Sequence, residues 1–447
     1  MLTATAMAKA PPPRKILMIA YHFPPMRGSS GIQRTLRFAQ HLPALGWQPV
    51  VLSAHPRAYV DPGPDQMADI APDLPVHRAF AIDTARHLAV RGRYAGWMAL
   101  PDRWVSWCLG AVPAGLRLVR RHRPQVLWST YPIATAHLIG YVLRRLTGLP
   151  WVADMRDPMT DDGYPAGALL RRACLWIERR TLEHCTVAVC TTAGAVATYR
   201  RRFPHLPAAR LRLIENGYDE DSFQQAADAQ ATLPGGLPGI TRPMVLLHSG
   251  VIYPSERDPA PLCAALAQLL ESGAIGAATL RIVLRATGHD TMLAALVARH
   301  GLQNIVTLAP ALPYREALAE MLAADGLLLL QAANCNHQVP AKLYEYLRAG
   351  RPVLALTDAS GDTAATLRAA GIDSIAPLDS TPAIATALQR FMADVTAGTA
   401  PLASAAATAR HSRQAGSAAL ALLLDEVAAG AAHADTASRT RIDQAGA

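Results

Sequence analysis

Lysine is almost missing from this chain. Lys9, Lys15 and Lys342 stand against 40 arginines, so Lys342 is the only lysine beyond the first strand-like run. Other absences narrow the field. No apolar run approaches the ~18 residues that a membrane-spanning helix needs. The opening MLTATAMAKAPPPRK holds no apolar core of a secretory signal. Cys108, Cys174, Cys185, Cys190, Cys263 and Cys335 form no C-x-x-C pair. They suit buried thiols in a reducing cytosol better than a disulfide frame or a zinc site. G-x-G-x-x-G, Walker A and G-x-S-x-G motifs are all absent. The basic clusters lack interleaved aromatics and match no nucleic-acid module, so nucleic acid is not an expected partner.

What is present describes a globular chain. At 447 residues, 51% hydrophobic and 17% charged, it can hold two domains with full cores. A net charge of +9 favours anionic partners, whether nucleotide phosphates or an acidic membrane surface. Much of that charge sits in RLVRRHR (117–123), RRACLWIERR (171–180) and YRRRF (199–203). Apolar runs alternate with helical patterns from KILMIAY (15–21) to LRLIENG (211–217), and again from MVLLHSG (244–250) to PVLALT (352–357). Residues 55–108 read as irregular. Two such series predict an α/β chain of two doubly wound domains facing across a cleft. The expected division is a flexible tail 1–14, an N-terminal domain 15–222, a Pro/Gly-rich linker 223–242 and a C-terminal domain 243–400. A helix 401–428 packing back on the first domain and a disordered tail 429–447 complete it.

Four stretches carry candidate chemistry at expected strand ends, where open α/β sheets bind ligands. In YHFPPMRGSSGIQR (21–34), Gly28, Ser29, Ser30 and Gly31 form a small-residue loop opening a helix. It suits a tight turn or an anion site equally. In DMRDPMTDD (154–162), Asp154, Arg156 and Asp157 are ionisable groups on the expected acceptor side. Asp157 could start a turn before Pro158, or orient a hydroxyl nucleophile. In HSGVIYPSERDP (248–259), Gly250 permits close backbone approach, and Arg257 is a cation that could clamp a diphosphate. In HQVPAKLYEYLRAG (337–350), Lys342 and Glu345 share a helix face while Leu343 and Leu347 turn inward. That pair is either a solvated ion pair or part of a ligand site. The D-x-D of residues 219–221 enters the linker and is discounted as a metal site, and no metal is expected.

Together these stretches resemble the GT-B glycosyltransferases of the GT4-like family, and most closely its bacterial surface-polysaccharide and exopolysaccharide members. The F-P-P and glycine-loop element, PWVADMRDPMTDD, LIENGYDEDSF, HSGVIYPSERDP and VPAKLYEYLRAGRPVLAL carry the resemblance across residues 15 to about 395. It implies a hexosyltransferase that uses a nucleotide-sugar donor, retains anomeric configuration and needs no metal or other cofactor. Glu345 falls on the family's ribose-binding glutamate. Arg257 and Lys342 fall on its diphosphate ligands, and Gly28–Gly31 on its first-domain loop. Its first glutamate falls on His337, a departure from the pattern. The implied acceptor is a lipid-linked glycan at the cytoplasmic membrane face, with Asp157 positioning it. Trp97, Trp104 and Trp107 before a basic helix fit either an interfacial surface or a core. Two other readings stay open: a GT-B-shaped sugar-nucleotide epimerase, and a non-catalytic scaffold of a polysaccharide assembly complex.

Overall fold

In the computed structural model the alternating runs become two parallel sheets. The structure describes residues 14–27, 30–64, 66–161, 164–231 and 242–445. The first sheet has seven strands: Arg14–Ile19 (β1), Trp47–Ala54 (β2), Val76–Ala79 (β3), Val126–Thr130 (β4), Trp151–Arg156 (β5), Val187–Cys190 (β6) and Leu211–Leu213 (β7). The second has six: Met244–Ser249 (β8), Leu280–Arg285 (β9), Val306–Ala309 (β10), Gly326–Leu330 (β11), Val353–Leu356 (β12) and Ile375–Ala376 (β13). The orders are β3-β2-β1-β4-β5-β6-β7 and β10-β9-β8-β11-β12-β13. Each sheet therefore reverses direction of growth beside its first strand, between β1 and β4 or between β8 and β11. Those are the topological switch points where such sheets open a ligand crevice.

β11 shows why these residues make this sheet. Its sequence GLLLL is buried throughout, because helices cover both faces of a parallel sheet. Leu328 and Leu330 join an apolar cluster with Leu262 and Leu266 of helix Ala260–Glu271 and Ile384 and Leu388 of helix Thr381–Ala397. Leu327 and Leu329 face the other way. They pack with Leu318 and Met321 of helix Tyr314–Ala323 and with Leu343 and Leu347 of helix Lys342–Ala349. The period-two alternation of a strand thus seats the Lys342 helix against the sheet.

Several expectations need correction. β3 lies in the stretch read as irregular; VHRA is a short, half-buried edge strand paired only to β2, so it has no apolar run to show. Helix Glu220–Ala231 fills the first part of the expected linker, and residues 232–241 lie outside those described. The expected last helix is two pieces, Ala405–Ala409 and Arg413–Ala445, and the second runs through the tail read as disordered. That segment lacks proline and is rich in alanine, so helix propensity outweighs its low apolar content.

By contacts the chain forms two compact units. The described residues of 1–189, 205–212 and 417–447 make one, and 190–204 with 213–416 the other. Helix Ala193–Arg202 groups with the second unit because Thr192 and Gly194 bond His337 and Asp362 there. The final helix belongs to the first: Trp47 Nε1 donates to Asp425 Oδ1 at 2.7 Å, and Arg212 Nη2 to Glu426 Oε2 at 2.8 Å. All six cysteines are free thiols, and all but Cys108 are buried. Among the described residues, no helix is long and apolar enough to cross a membrane.

Candidate functional site

The second unit's switch point carries the densest charge chemistry. His248, at the end of β8, is fully buried, with Nδ1 2.9 Å from the carbonyl oxygen of Leu328 on β11. A carbonyl only accepts, so Nδ1 carries the proton and Nε2 is left as an acceptor. Lys342 Nζ lies 3.0 Å from that Nε2 and donates to it. Burial, then the Lys342 charge, hold His248 well below the usual histidine range, so it stays a neutral acceptor. Lys342 is itself drawn well below the usual lysine range, first by burial and then by Arg257, with Glu345 opposing.

Gly250 fits this arrangement twice over. Its φ of +107° is one that side-chain-bearing residues rarely adopt, and a Cβ there would meet Lys342 Nζ at 3.1 Å. Arg257 folds back on the same loop, donating from Nη1 to the Val251 carbonyl at 2.5 Å with its guanidinium 5.2 Å from the Tyr253 ring centroid. Two cations thus flank a glycine turn at the carboxyl end of β8. Such a place can neutralise the charge of a diphosphate.

Lys342 and Glu345 are not simply paired with each other. Lys342 engages His248, while Tyr314 donates its hydroxyl to Glu345 Oε1 at 2.9 Å. Burial raises the Glu345 carboxyl above its usual range; the Tyr314 bond, then Arg413 and Lys342, oppose the rise. Helix Lys342–Ala349 begins two residues after Pro340, so Lys342 is its first residue. His337 is half-buried, and its carbonyl accepts from Thr192 Oγ1 at 2.6 Å. Of the D-x-D acids, Asp219 is buried with Oδ2 accepting from Ser222 N at 3.0 Å, and Asp221 is exposed; Glu220 between them pairs with Arg348. Among the described residues, no three His, Cys, Asp or Glu side chains converge as a metal site requires.

The first unit corrects the acceptor-side reading. Asp154 is wholly buried and accepts from Arg34 Nε at 2.9 Å and Nη2 at 2.8 Å, with Arg34 only 1% exposed. Thr130 Oγ1 also donates to it, at 2.9 Å. Asp154 therefore ties helix Ser30–His41 to β4 and β5 and offers nothing to a ligand. Arg156 is buried with a left-handed φ of +59°, a strained value for a residue with a side chain. Arg156 and His22 both crowd Gly31, where a Cβ would lie 2.8 Å from Arg156 Nη1 and 2.7 Å from His22 Nδ1. Burial, helped by Arg156, pulls His22 down to about 3. Asp157 is half-buried beside them. Gly28, Ser29 and the Ser30 side chain lie outside what is described. Trp107 is core, and Trp104 donates to the Ala58 carbonyl at 3.2 Å; Trp97 alone of the three is largely exposed.

Residues 30–217 match the family described as glycosyl transferase 4-like domain. Those residues are similar to a GT4-type domain, and the two sheets together have the GT-B fold. That fold is shared with sucrose-phosphate synthase from Thermosynechococcus elongatus, at a TM-score of 0.62 and 17% identity over 97% of this chain and 100% of that one. Anabaena HepE in complex with UDP gives 0.62 and 14% over 92% and 100%. UDP-GlcNAc 2-epimerase from Neisseria meningitidis bound to UDP-GlcNAc gives 0.55 and 10% over 92% and 100%. No curated protein sequence matches the chain. The family match covers Gly31, Asp154, Arg156 and Asp157 but ends before Gly250. The cluster of His248, Gly250, Arg257, Lys342 and Glu345 therefore stands on its own geometry.

Sequence reasoning missed His248, Tyr314, Arg34 and His22. His22, Arg34 and His248 lie inside quoted stretches and Tyr314 in none, but each acts through a partner distant in sequence.

Proposed function

We propose that this glycosyltransferase moves a hexosyl group from a nucleotide-sugar donor to a lipid-linked glycan acceptor in cell-surface polysaccharide assembly. On this reading the enzyme works at the cytoplasmic membrane face, retains anomeric configuration and needs no metal. The observation that carries the reading is the pair of cations, Lys342 and Arg257, beside Gly250 at the β8–β11 switch, with Glu345 on the same helix as Lys342. Departure of the nucleotide builds negative charge on its diphosphate, and two preset cations stabilise that charge as it forms. Glu345, held by Tyr314, would accept the ribose hydroxyls. HepE, bound to UDP and to UDP-glucose in its solved structures, supports a nucleotide-sugar as the donor class. In the second unit His337 is the proposed donor-sugar contact; in the first, taken by itself, Gly31 belongs to the proposed donor loop and Asp157 is the proposed acceptor contact.

Thermal shift against UDP, GDP, ADP and their sugar forms tests this. A ligand at a hundred times its Kd adds about 2.7 kcal/mol of stability. We expect one nucleotide family to raise the melting temperature and Glu345→Ala to abolish the rise. If no nucleotide shifts the native protein, the reading is wrong. A nucleotide sugar converted to its epimer without acceptor would support the epimerase reading instead.

Tyr314→Phe gives a finer test. It removes the hydroxyl that orients Glu345 and leaves the ring in place. Ribonucleotide affinity should fall about tenfold, the scale of a lost hydrogen bond to a charged group. The preference for UDP over 2′-deoxy-UDP should narrow with it. A merely structural tyrosine would leave that ratio unchanged.

A further inference from the structure

Helix Ala168–His184 has a normal inner side and an unusual outer one. Inside, Cys174, Ile177 and Leu182 are buried, and Glu178 is buried with its carboxylate accepting from Met159 N and Thr160 Oγ1. Outside stand Leu169, 65% exposed, Leu175, 37%, and Trp176, 48%. Arg172 and Arg179 are exposed between and beyond them. Positions 169, 172, 176 and 179 fall on one stripe at helical spacing. A single exposed leucine is ordinary. Three large apolar side chains on the outer face of one helix, interleaved with arginine, mark an interaction surface.

The charge on this face selects the partner. The helix holds Arg171, Arg172, Arg179 and Arg180 against two acids. Of these, Glu178 is turned inward, and Glu183 is shared by Arg179 at 2.7 Å and Arg180 at 3.9 Å. The adjacent helix Ala134–Thr147, packed alongside, adds Arg145 and the 60% exposed Leu146. Trp176 stands edge-on to Tyr141 of that helix at 6.2 Å. Leucine and tryptophan at headgroup depth, with arginines reaching phosphates, is the pattern of a helix lying in a bilayer interface. Moreover, this helix is the next element in the chain after β5, whose carboxyl end carries Arg156 and Asp157.

We propose that Leu169, Leu175 and Trp176, with Arg172 and Arg179, dock the first unit on an anionic lipid bilayer. This deepens, and rests on, the reading of the acceptor as lipid-linked. The full chain should co-float with phosphatidylcholine vesicles containing phosphatidylglycerol and not with pure phosphatidylcholine, and high salt should weaken the binding. Leu169→Glu with Trp176→Glu should cut vesicle affinity by about tenfold or more without lowering the melting temperature. Arg172→Glu with Arg179→Glu should cut it as well and flatten its salt dependence. Failure of the native chain to float with the anionic vesicles overturns the proposal, as does either double variant binding like the native chain. Nucleotide binding, measured in parallel, separates the two ideas. Nucleotide binding without flotation removes the docking face alone; flotation without nucleotide binding removes the transferase reading alone.

Discussion

Lys342→Met is expected to lower sugar transfer by roughly 10²–10³, the usual cost of losing one preset charge-stabilising group. Methionine keeps the length and apolar stem of lysine, and the helix keeps Leu343 and Leu347 against the sheet. Transfer and nucleotide-sugar hydrolysis should therefore fall while the chain still folds and melts cooperatively. pH gives an independent signature. Binding needs the ammonium form. Burial and Arg257 depress the Lys342 pKa, so the ammonium is present below that lowered value and lost as pH rises through it. Diphosphate affinity in the native protein should decline at a pH well short of ordinary lysine titration, and Lys342→Met should lack that decline. His248 helps set this behaviour: as a neutral acceptor it orients the ammonium without neutralising it.

The second large effect is on stability. Asp154→Ala should destabilise the first unit by about 3–5 kcal/mol, because it removes the carboxylate that accepts twice from the buried Arg34 guanidinium in a site closed to water. Neither partner is more than 1% exposed, so solvent screening does not soften the loss. Replacing both, Arg34→Met with Asp154→Leu, should recover most of the stability, since a well-packed apolar pair can substitute for a buried ion pair. Chemical denaturation followed by tryptophan fluorescence reads both results. If Asp154→Ala kept its stability and lost only activity, the carboxylate would be a catalytic group after all.

These two residues also show what the sequence could and could not tell. Lys342 was legible because composition isolates it, and because β11 announces itself as an unbroken apolar run just before its helix. Asp154 was misread. A carboxylate at a strand end looks the same in sequence whether it meets a ligand or a buried arginine, and Arg34 lies 120 positions away. His248 was invisible for the same reason, since its partner Lys342 is 94 positions on. Both sheets were readable strand by strand, except where an edge strand as short as β3 leaves no apolar pattern. The boundaries failed where contacts, not composition, decide. Thr192 and Gly194 follow a strand of the first sheet, yet their hydrogen bonds go to the second unit.

The return of the final helix has a consequence for synthesis and for cloning. The indole of Trp47 must wait for Asp425, 378 positions later, before its hydrogen bond can form. On the ribosome the first unit can assemble its strands early, but it completes itself only after the segment around Asp425 has emerged. Halving the gene after the first sheet would therefore release an unfinished piece. A stand-alone version of that unit calls for a rearranged reading frame, with the last helix spliced beside the first strand.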